Sequence, residues 1–349
     1  MIWTIIGLLI VLGIVVVAHE FGHYFAARIC GVRAENFSIG FGRPIIKWTD
    51  KRGTEWRIGW IPLGGYCTPY GQEMMFNRKR YADLPAENRR GHYLSVSAWK
   101  QALIIAGGVI LNFALAFIIY WGLAARPHTV QLPVVGLVAN ESAAASAGVI
   151  AGDAIVRING KKVASWDDVI IAKELAIGKT SDVVLIRGQG LISVKIASAE
   201  SWGLIADENM VQVQRRGIGG AFVAGAQETW RQSKMLVVIL KQIITGDRST
   251  KQLGSFITIA QVSGQALAAG LVALLAIIAL LSVNLAVINL LPLPVLDGGY
   301  LLILAVEGII RRKLQGRAME YVLWVGWIII GLLFALTMKN DIFRVLGWQ

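Results

Sequence analysis

Three features of this 349-residue sequence predict a multi-pass α-helical membrane protein with four transmembrane helices, a membrane-associated β-hairpin element and one α+β module. The chain is 55% apolar and only 16% charged, and its apolar residues fall in blocks rather than being spread along the chain. Four of those blocks approach or exceed the roughly 20 residues that cross a bilayer. Between the second and the third, residues 127–200 change to short β-branched runs with regular turn signals.

Residues 1–27 form the first expected span. They are apolar from 1 to 18 apart from Thr4, with no basic leading region and no small-residue cleavage site, so a retained helix is expected rather than a removable signal. Residues 28–97 are polar. Within them Asn36–Gly42, Pro44–Thr49 and Glu55–Ile61 read as short strands, with Asp50-Lys51-Arg52-Gly53 as the turn between the last two. This element reads either as a surface hairpin or as an edge that pairs with an extended peptide. Residues 98–124 form the second span, with Trp99 and Trp121 placed as interfacial anchors. Inside it Gly107 and Gly108 permit close helix approach, and Asn112 reads either as interhelical glue or as a contact to a functional site.

The 127–200 module is expected to run as strand (Val134–Val138), helix (Ala143–Gly148), turn (Gly152-Asp153), strand (Ile155–Ile158), hairpin turn (Asn159-Gly160) and helix (Asp167–Leu175). Val183–Ile186 and Ser193–Ile196 supply its last strands. Residues 201–262 form a linker in which Trp230–Ile244 mixes apolar residues with Gln232, Lys234, Lys241 and Gln242, the pattern of an amphipathic helix on a membrane surface. Residues 263–300 carry the third span, stopped by Pro292 and Pro294 and followed by Leu296-Asp297-Gly298-Gly299. Residues 301–319 hold a basic loop, Arg311-Arg312-Lys313 with Arg317, and residues 320–338 form the fourth span.

The formal charge of +12 does not point to nucleic acid. Its Lys and Arg are dispersed around the hydrophobic runs, where membrane topology and anionic lipid account for them. From Arg28 to Lys100 basic residues outnumber acidic ones by 13 to 6, and the 311–317 loop is also basic. The positive-inside rule puts both segments on the cytoplasmic side, and both termini and the 127–200 module outside. Cys30 and Cys67 make neither a disulfide framework nor a Cys-rich zinc site.

The chemistry is concentrated in His19-Glu20-Phe21-Gly22-His23. Two imidazoles four residues apart share one helix face, one turn apart, and can offer two nitrogens to one zinc ion with a carboxylate beside them as general base. Ionisable groups inside a span are costly and usually functional. Catalytic zinc takes a third protein ligand and leaves a position for water. Carboxylates are rare in the apolar segments, and two qualify: Asp297, flanked by glycines after a Pro-broken helix end, and Glu307, ten residues later. Glu20 would take the water's proton and pass it to the leaving amine. A catalytically silent membrane scaffold is the alternative, though such a protein has no use for these groups.

Together these residues resemble the site-2 protease family of intramembrane zinc metalloproteases (peptidase M50), most of all its bacterial branch that cleaves anti-sigma factors, the regulator of sigma-E protease type. His19 to His23 is similar to the family's first signature, and Asn289-Leu290-Leu291-Pro292-Leu293-Pro294-Val295-Leu296-Asp297-Gly298-Gly299 to its second. The resemblance implies Zn2+ held by His19, His23 and Asp297, catalysis by Glu20, and a substrate path lined by Asn289, Pro292 and Pro294, with Asn112 beside it. Phe37 to Gly42 and Ile61 to Tyr66 resemble the family's membrane-associated β-element. The 127–200 module resembles a PDZ domain, whose peptide groove would lie along Val134–Val138. The resemblance implies a bacterial inner-membrane enzyme with its site towards the cytoplasm. Its implied partners are a single-pass membrane protein substrate, membrane lipid and a peptide C-terminus or substrate segment at the PDZ-like groove. The chain departs from the family pattern in carrying one such module, in Val109 where a proline is usual, and in Ser255-Phe256 where a Gly-Pro pair is common.

Overall fold

A helix of 28 residues, α1 (Ile2–Ile29), opens the fold and carries the His-Glu-His trio near its C-terminal end. The computed structural model describes residues 2–76, 78–199, 201–249, 256–314 and 317–346, so Ser255 lies outside the described residues. After α1 come β1 (Ala34–Thr49), β2 (Glu55–Pro69), the short α2 (Arg78–Ala82) and the long α3 (Ala98–Ala125). Then follow β3 (His128–Gln131), β4 (Val135–Val138), α4 (Ala143–Ser146), β5 (Ala154–Ile158), β6 (Lys161–Lys162) and α5 (Trp166–Leu175). The chain continues through β7 (Ser181–Arg187), β8 (Gly190–Ile196), β9 (Leu204–Ala206), β10 (Val211–Gln214) and α6 (Ile218–Thr245). It ends with α7 (Phe256–Ala269), α8 (Leu271–Asn289), α9 (Asp297–Ile310) and α10 (Arg317–Val345). Among the described residues four helices are long and apolar enough to cross a membrane: Ile2–Ile29, Ala98–Ala125, Leu271–Asn289 and Met319–Phe343. The chain divides into two compact units, Met1–Tyr120 with Leu253–Gln349, and Trp121–Gln252.

In the first unit, α1 is the central element. Its Val11 and Val15 pack with Leu274 and Ile278 of α8, while Ala26 and Ala27 pack with Ile104 and Ile105 of α3 and Leu304 of α9. Apolar burial is a weak force between helices surrounded by lipid, so close backbone contact has to hold them together. Gly22 and Gly107 provide it: a Cβ on Gly22 would lie 2.1 Å from the Gly107 carbonyl oxygen.

The apolar run expected as one third span is divided. Gly270, at φ +105°, separates α7 from α8, and α7 at 14 residues is too short to cross. In a nearly unbroken apolar run, one glycine with that backbone angle leaves no other trace. Asp297 begins α9 rather than sitting in a loop, and α9 takes up half of the segment read as basic loop. Arg311, at φ +51°, ends that helix.

The β-element is a single folded ribbon. Residues 44–49 pair with 55–59 across the Asp50–Gly53 turn, and residues 36–39 take both Glu55–Ile58 and Gly65–Thr68 as neighbours. Phe37 is fully buried with Tyr24 of α1, with Phe21 and Trp56 packed against them. Ile45, Ile46, Trp48 and Trp60 remain exposed, an apolar surface that a soluble hairpin would not present.

The second unit has its own core, in which Val135, Ile155, Ile158, Leu185 and Trp202 are buried together. Its main sheet runs β6-β5-β7-β8, flanked by the pairs β4-β9 and β3-β10. Strands β9 and β10 come from the stretch read as linker, so the unit extends past residue 200; at 3 and 4 residues they are too short to show a period. β4, where the peptide groove is expected, is paired with β9 along one edge, and on the other its Val135 N–H donates to the Asp153 carbonyl at 2.8 Å.

Asp153 is fully buried and accepts two bonds from Arg187, each 2.8 Å, and one from the Ile150 N–H at 2.9 Å. The Arg187 guanidinium holds its carboxyl below the usual carboxylate range. A carboxyl depressed by folding stabilises above its unfolded pKa and loses that contribution as pH falls through the folded value. The second unit is therefore expected to loosen below about pH 4, and Asp153→Asn to cost about 2 kcal/mol at neutral pH and to flatten that acid transition. Hydrogen exchange of β5 and β7 measures both; an unchanged acid profile in the variant would refute the assignment.

Candidate metal centre

One turn of α1 puts His19 and His23 on the face turned to α3, α8 and α9, and the loop between α8 and α9 brings in Asp297 from 274 residues further on. His19 Nε2 and His23 Nε2 are 3.2 Å apart, and Asp297 Oδ2 lies 3.3 Å from the first and 3.6 Å from the second. Ligands about 2.0–2.2 Å from a tetrahedral ion stand roughly 3.3–3.6 Å from one another. The triangle has that size. Asp297 Oδ2 is buried and accepts no well-formed hydrogen bond among the described residues. A cation between the three atoms would satisfy it, and two imidazoles with one carboxylate form a zinc-type donor set.

The outer contacts select the ligand atoms. The His23 Nδ1–H donates to the Ile104 carbonyl of α3 at 2.9 Å, which leaves Nε2 free for a metal. Asn112 of α3 is fully buried with its amide 3.4 Å from His19 Nδ1, and its Oδ1 has no partner among the described residues. A half-turn of that amide, which exchanges ends of nearly equal shape, sets Oδ1 against an Nδ1–H and again frees Nε2. Gly108 completes the cradle: a Cβ there would fall 2.5 Å from both His19 Cε1 and His23 Nε2.

Glu20 is fixed by an element outside α1. Its Oε2 accepts the Cys67 N–H of β2 at 2.8 Å, so the ribbon reaches the site through its backbone. Burial pushes the Cys67 thiol well up, with the Glu20 charge adding to it, so this cysteine stays a neutral wall residue. A cavity of about 220 Å³ is lined by the three ligand residues, Glu20, Tyr66, Cys67, Gln72, Ile104, Asn289 and Tyr300, among others.

Of the residues expected on the substrate path, Asn289 ends α8 with its amide nitrogen 3.2 Å from His19 Nε2. Pro292 and Pro294 do not line the cavity; Pro294 packs where α10 carries Gly326, whose Cβ would lie 2.7 Å from the proline ring. Val295 takes the wall position instead, at φ +82°, an unusual angle for a β-branched residue and one that turns the chain into Asp297. Of the two candidate carboxylates, Asp297 lies beside the histidines and Glu307 does not. Glu307 accepts from Lys313 Nζ and the Leu314 N–H, each at 2.9 Å, and closes the far end of α9. Tyr66, Cys67, Gln72 and Tyr300 were not singled out for the site from the residues; the Gly64-Gly65-Tyr66 stretch was the available signal for the first two.

The sequence model described as Peptidase family M50 matches residues 7–333, a span that takes in all three ligands. A candidate zinc metalloprotease of Agrobacterium fabrum is 33% identical over 98% of this chain and 96% of its own length. Another from Rickettsia conorii is 35% identical over 97% of this chain and 98% of its own. The regulator of sigma-E protease of Escherichia coli K12 is 28% identical over 98% of this chain and 99% of its own.

Proposed function

This chain belongs to peptidase family M50 and is a multi-pass membrane zinc metalloprotease of that type; from that premise we propose that it hydrolyses peptide bonds within or near the membrane-spanning segment of single-pass membrane proteins. The observation that carries the proposal is the site's position. Three convergent ligand atoms and a carboxylate share one cavity, and two of the ligands and the carboxylate belong to a helix long and apolar enough to span a bilayer.

His19, His23 and Asp297 would hold the zinc ion, and Glu20 is the general base. Bound there, zinc would polarise the scissile carbonyl and lower the pKa of water to about 7. Glu20 Oε1, the oxygen left over from the Cys67 bond, takes a proton from water and delivers it to the leaving nitrogen. Asn289 directs an amide donor at the place where a substrate carbonyl lies. The outer edge of β2 beside Tyr66 and Cys67 offers backbone groups to an extended peptide, as strand addition requires.

A helical substrate has its peptide bonds shielded by intrahelical hydrogen bonds and must unwind before it can lie on that edge. Proteolysis of anti-sigma-factor type and clearance of signal-peptide remnants both present such segments. The basic stretches at 28–100 and 311–317 support an orientation in the bacterial inner membrane with the site towards the cytoplasm and the PDZ-like unit outside. There that unit would hold a peptide C-terminus or substrate segment. A silent scaffold is not favoured, because it has no use for three converging ligands.

The test uses purified protein carrying stoichiometric zinc and single-pass substrates that differ only in helix stability. A Gly-Pro pair at mid-span is expected to speed cleavage at least about tenfold over a Leu/Ala version, with cuts mapped inside the span by mass spectrometry. Equal rates for the two substrates, or cuts confined to their soluble tails, would overturn the proposal.

A further inference from the structure

Gln72 brings a carboxamide to the wall of the metal cavity and leaves it unpaired. Half-buried, it lines the same cavity as His19, Glu20, Cys67 and Asp297, and makes no hydrogen bond among the described residues. It follows the end of β2 at Pro69, beyond the Cys67 N–H that holds Glu20, and opens a short 3₁₀ turn, Gln72–Phe76. A carboxamide carries both donors and an acceptor, the two kinds of group that a peptide unit presents in return.

A single imidazole grips the chain on both sides of Gln72. His92 is fully buried, with the Tyr70 and Tyr81 rings 5.1 and 4.6 Å from its own. Its Nδ1 accepts the Leu94 N–H at 3.0 Å, so the neutral ring carries its proton on Nε2, which points at Met74 Sδ 3.4 Å away. On the other side of Gln72 the ring lies flush against Gly71, where φ is +74° and a Cβ would run into the imidazole. The neighbouring backbone is tied as well. Tyr70 donates to the Arg33 carbonyl at 2.7 Å and accepts the Tyr93 N–H at 2.8 Å. Of residues 70–74, held at Tyr70, Gly71 and Met74, only Gln72 lines the cavity. Burying an imidazole merely to fill space is costly, and an apolar side chain would serve better; this one fixes a turn.

We propose that Gln72 binds a backbone peptide group of the substrate next to the scissile bond, and that His92 is the positioning residue that holds it there. The proposal deepens the function argued above and rests on it: a peptide extended along the outer edge of β2 past Cys67 reaches Gln72 where that strand ends. Main-chain bonds give affinity without selecting side chains. A bond made equally before and in the transition state lowers KM and leaves kcat alone.

The full chain in detergent micelles tests this, with synthetic single-pass peptides carrying a Gly-Pro pair at mid-span. The backbone amides flanking the cut, the scissile one excepted, are replaced in turn by esters. Gln72→Ala is expected to raise KM about tenfold, with kcat and zinc content near wild type. One ester should cost wild type about fivefold in kcat/KM and cost Gln72→Ala nothing further. His92→Ala should raise KM as Gln72→Ala does, and the double variant no more than either. His92→Gln, whose amide reaches as far as Nε2, should restore the wild-type KM. An unchanged KM in Gln72→Ala, or no ester whose effect that variant abolishes, would overturn the inference and leave the proposed function standing; neither comparison depends on His92→Ala folding. Additive effects in the double variant would also overturn it. Absence of cleavage by wild type would remove the proposed function and the inference together.

Discussion

Glu20→Gln is expected to leave zinc bound and stop cleavage. Gln has the shape of Glu, and its amide oxygen can still accept the Cys67 N–H now held at 2.8 Å by Glu20 Oε2. The three ligand atoms are unaltered, so zinc content and thermal stability should match wild type. What is lost is basicity, because an amide cannot take a proton from water. General-base contributions are typically 10²–10⁴-fold, so kcat should fall about a thousandfold with KM little changed, the signature of an interaction that matters only in the transition state. Metal analysis beside single-turnover cleavage of a single-pass substrate measures both quantities. Cleavage within tenfold of wild type would remove Glu20 from the base role. Loss of zinc together with activity would show that the carboxylate has a structural task the geometry does not indicate.

How much of this was legible depends on where each interaction resides. His19, Glu20 and His23 are readable because a helix of 3.6 residues per turn fixes their relation locally. The third ligand is not local. Asp297 and Glu307 both lay near the end of the third apolar run, and nothing in their spacing from His23 says which one returns; only the glycines and prolines around Asp297 favoured it. Those glycines fit closely against the α8–α9 loop, where a Cβ on either would fall 2.1–2.3 Å from a loop carbonyl. The Cys67 contact to Glu20 left no trace, because a backbone N–H is supplied by any residue but proline. Three- and four-residue strands such as β9 and β10 are beyond the reach of periodicity, which is why the second unit was expected to end near residue 200. The long apolar helices were the easy part, and Gly270 shows where even they fail. Composition measures how apolar a run is, not whether its backbone turns.

Gly108→Ala is expected to do the reverse of Glu20→Gln, removing zinc while leaving the fold. The added methyl would sit 2.5 Å from His19 Cε1, 2.5 Å from His23 Nε2 and 2.7 Å from His19 Nδ1, closer than carbon packs against either ring. The helix side of the clash has no room to yield. α3 cannot back away from α1 without parting Gly107 from Gly22, whose would-be Cβ is already 2.1 Å from the Gly107 carbonyl oxygen. His23 is tied by Nδ1 to the Ile104 carbonyl at 2.9 Å, on the same helix that carries the new methyl. The imidazoles must therefore rotate, and a ligand set that converges to 3.2–3.6 Å comes apart. Outer contacts of metal ligands are commonly worth 10–100-fold in affinity, and a methyl aimed at a ligand nitrogen should cost at least the upper end of that range. Gly122→Ala is the control: it lies on the same helix, and a Cβ there meets nothing within 4 Å. It should keep zinc through a chelator challenge that strips Gly108→Ala, with both variants retaining wild-type helix content. Should Gly108→Ala hold zinc as firmly as Gly122→Ala, the histidines are not pressed against α3 as described. The pair of outcomes also separates the two halves of the site: Glu20→Gln keeps the ion without turnover, and Gly108→Ala cannot hold the ion with its base intact.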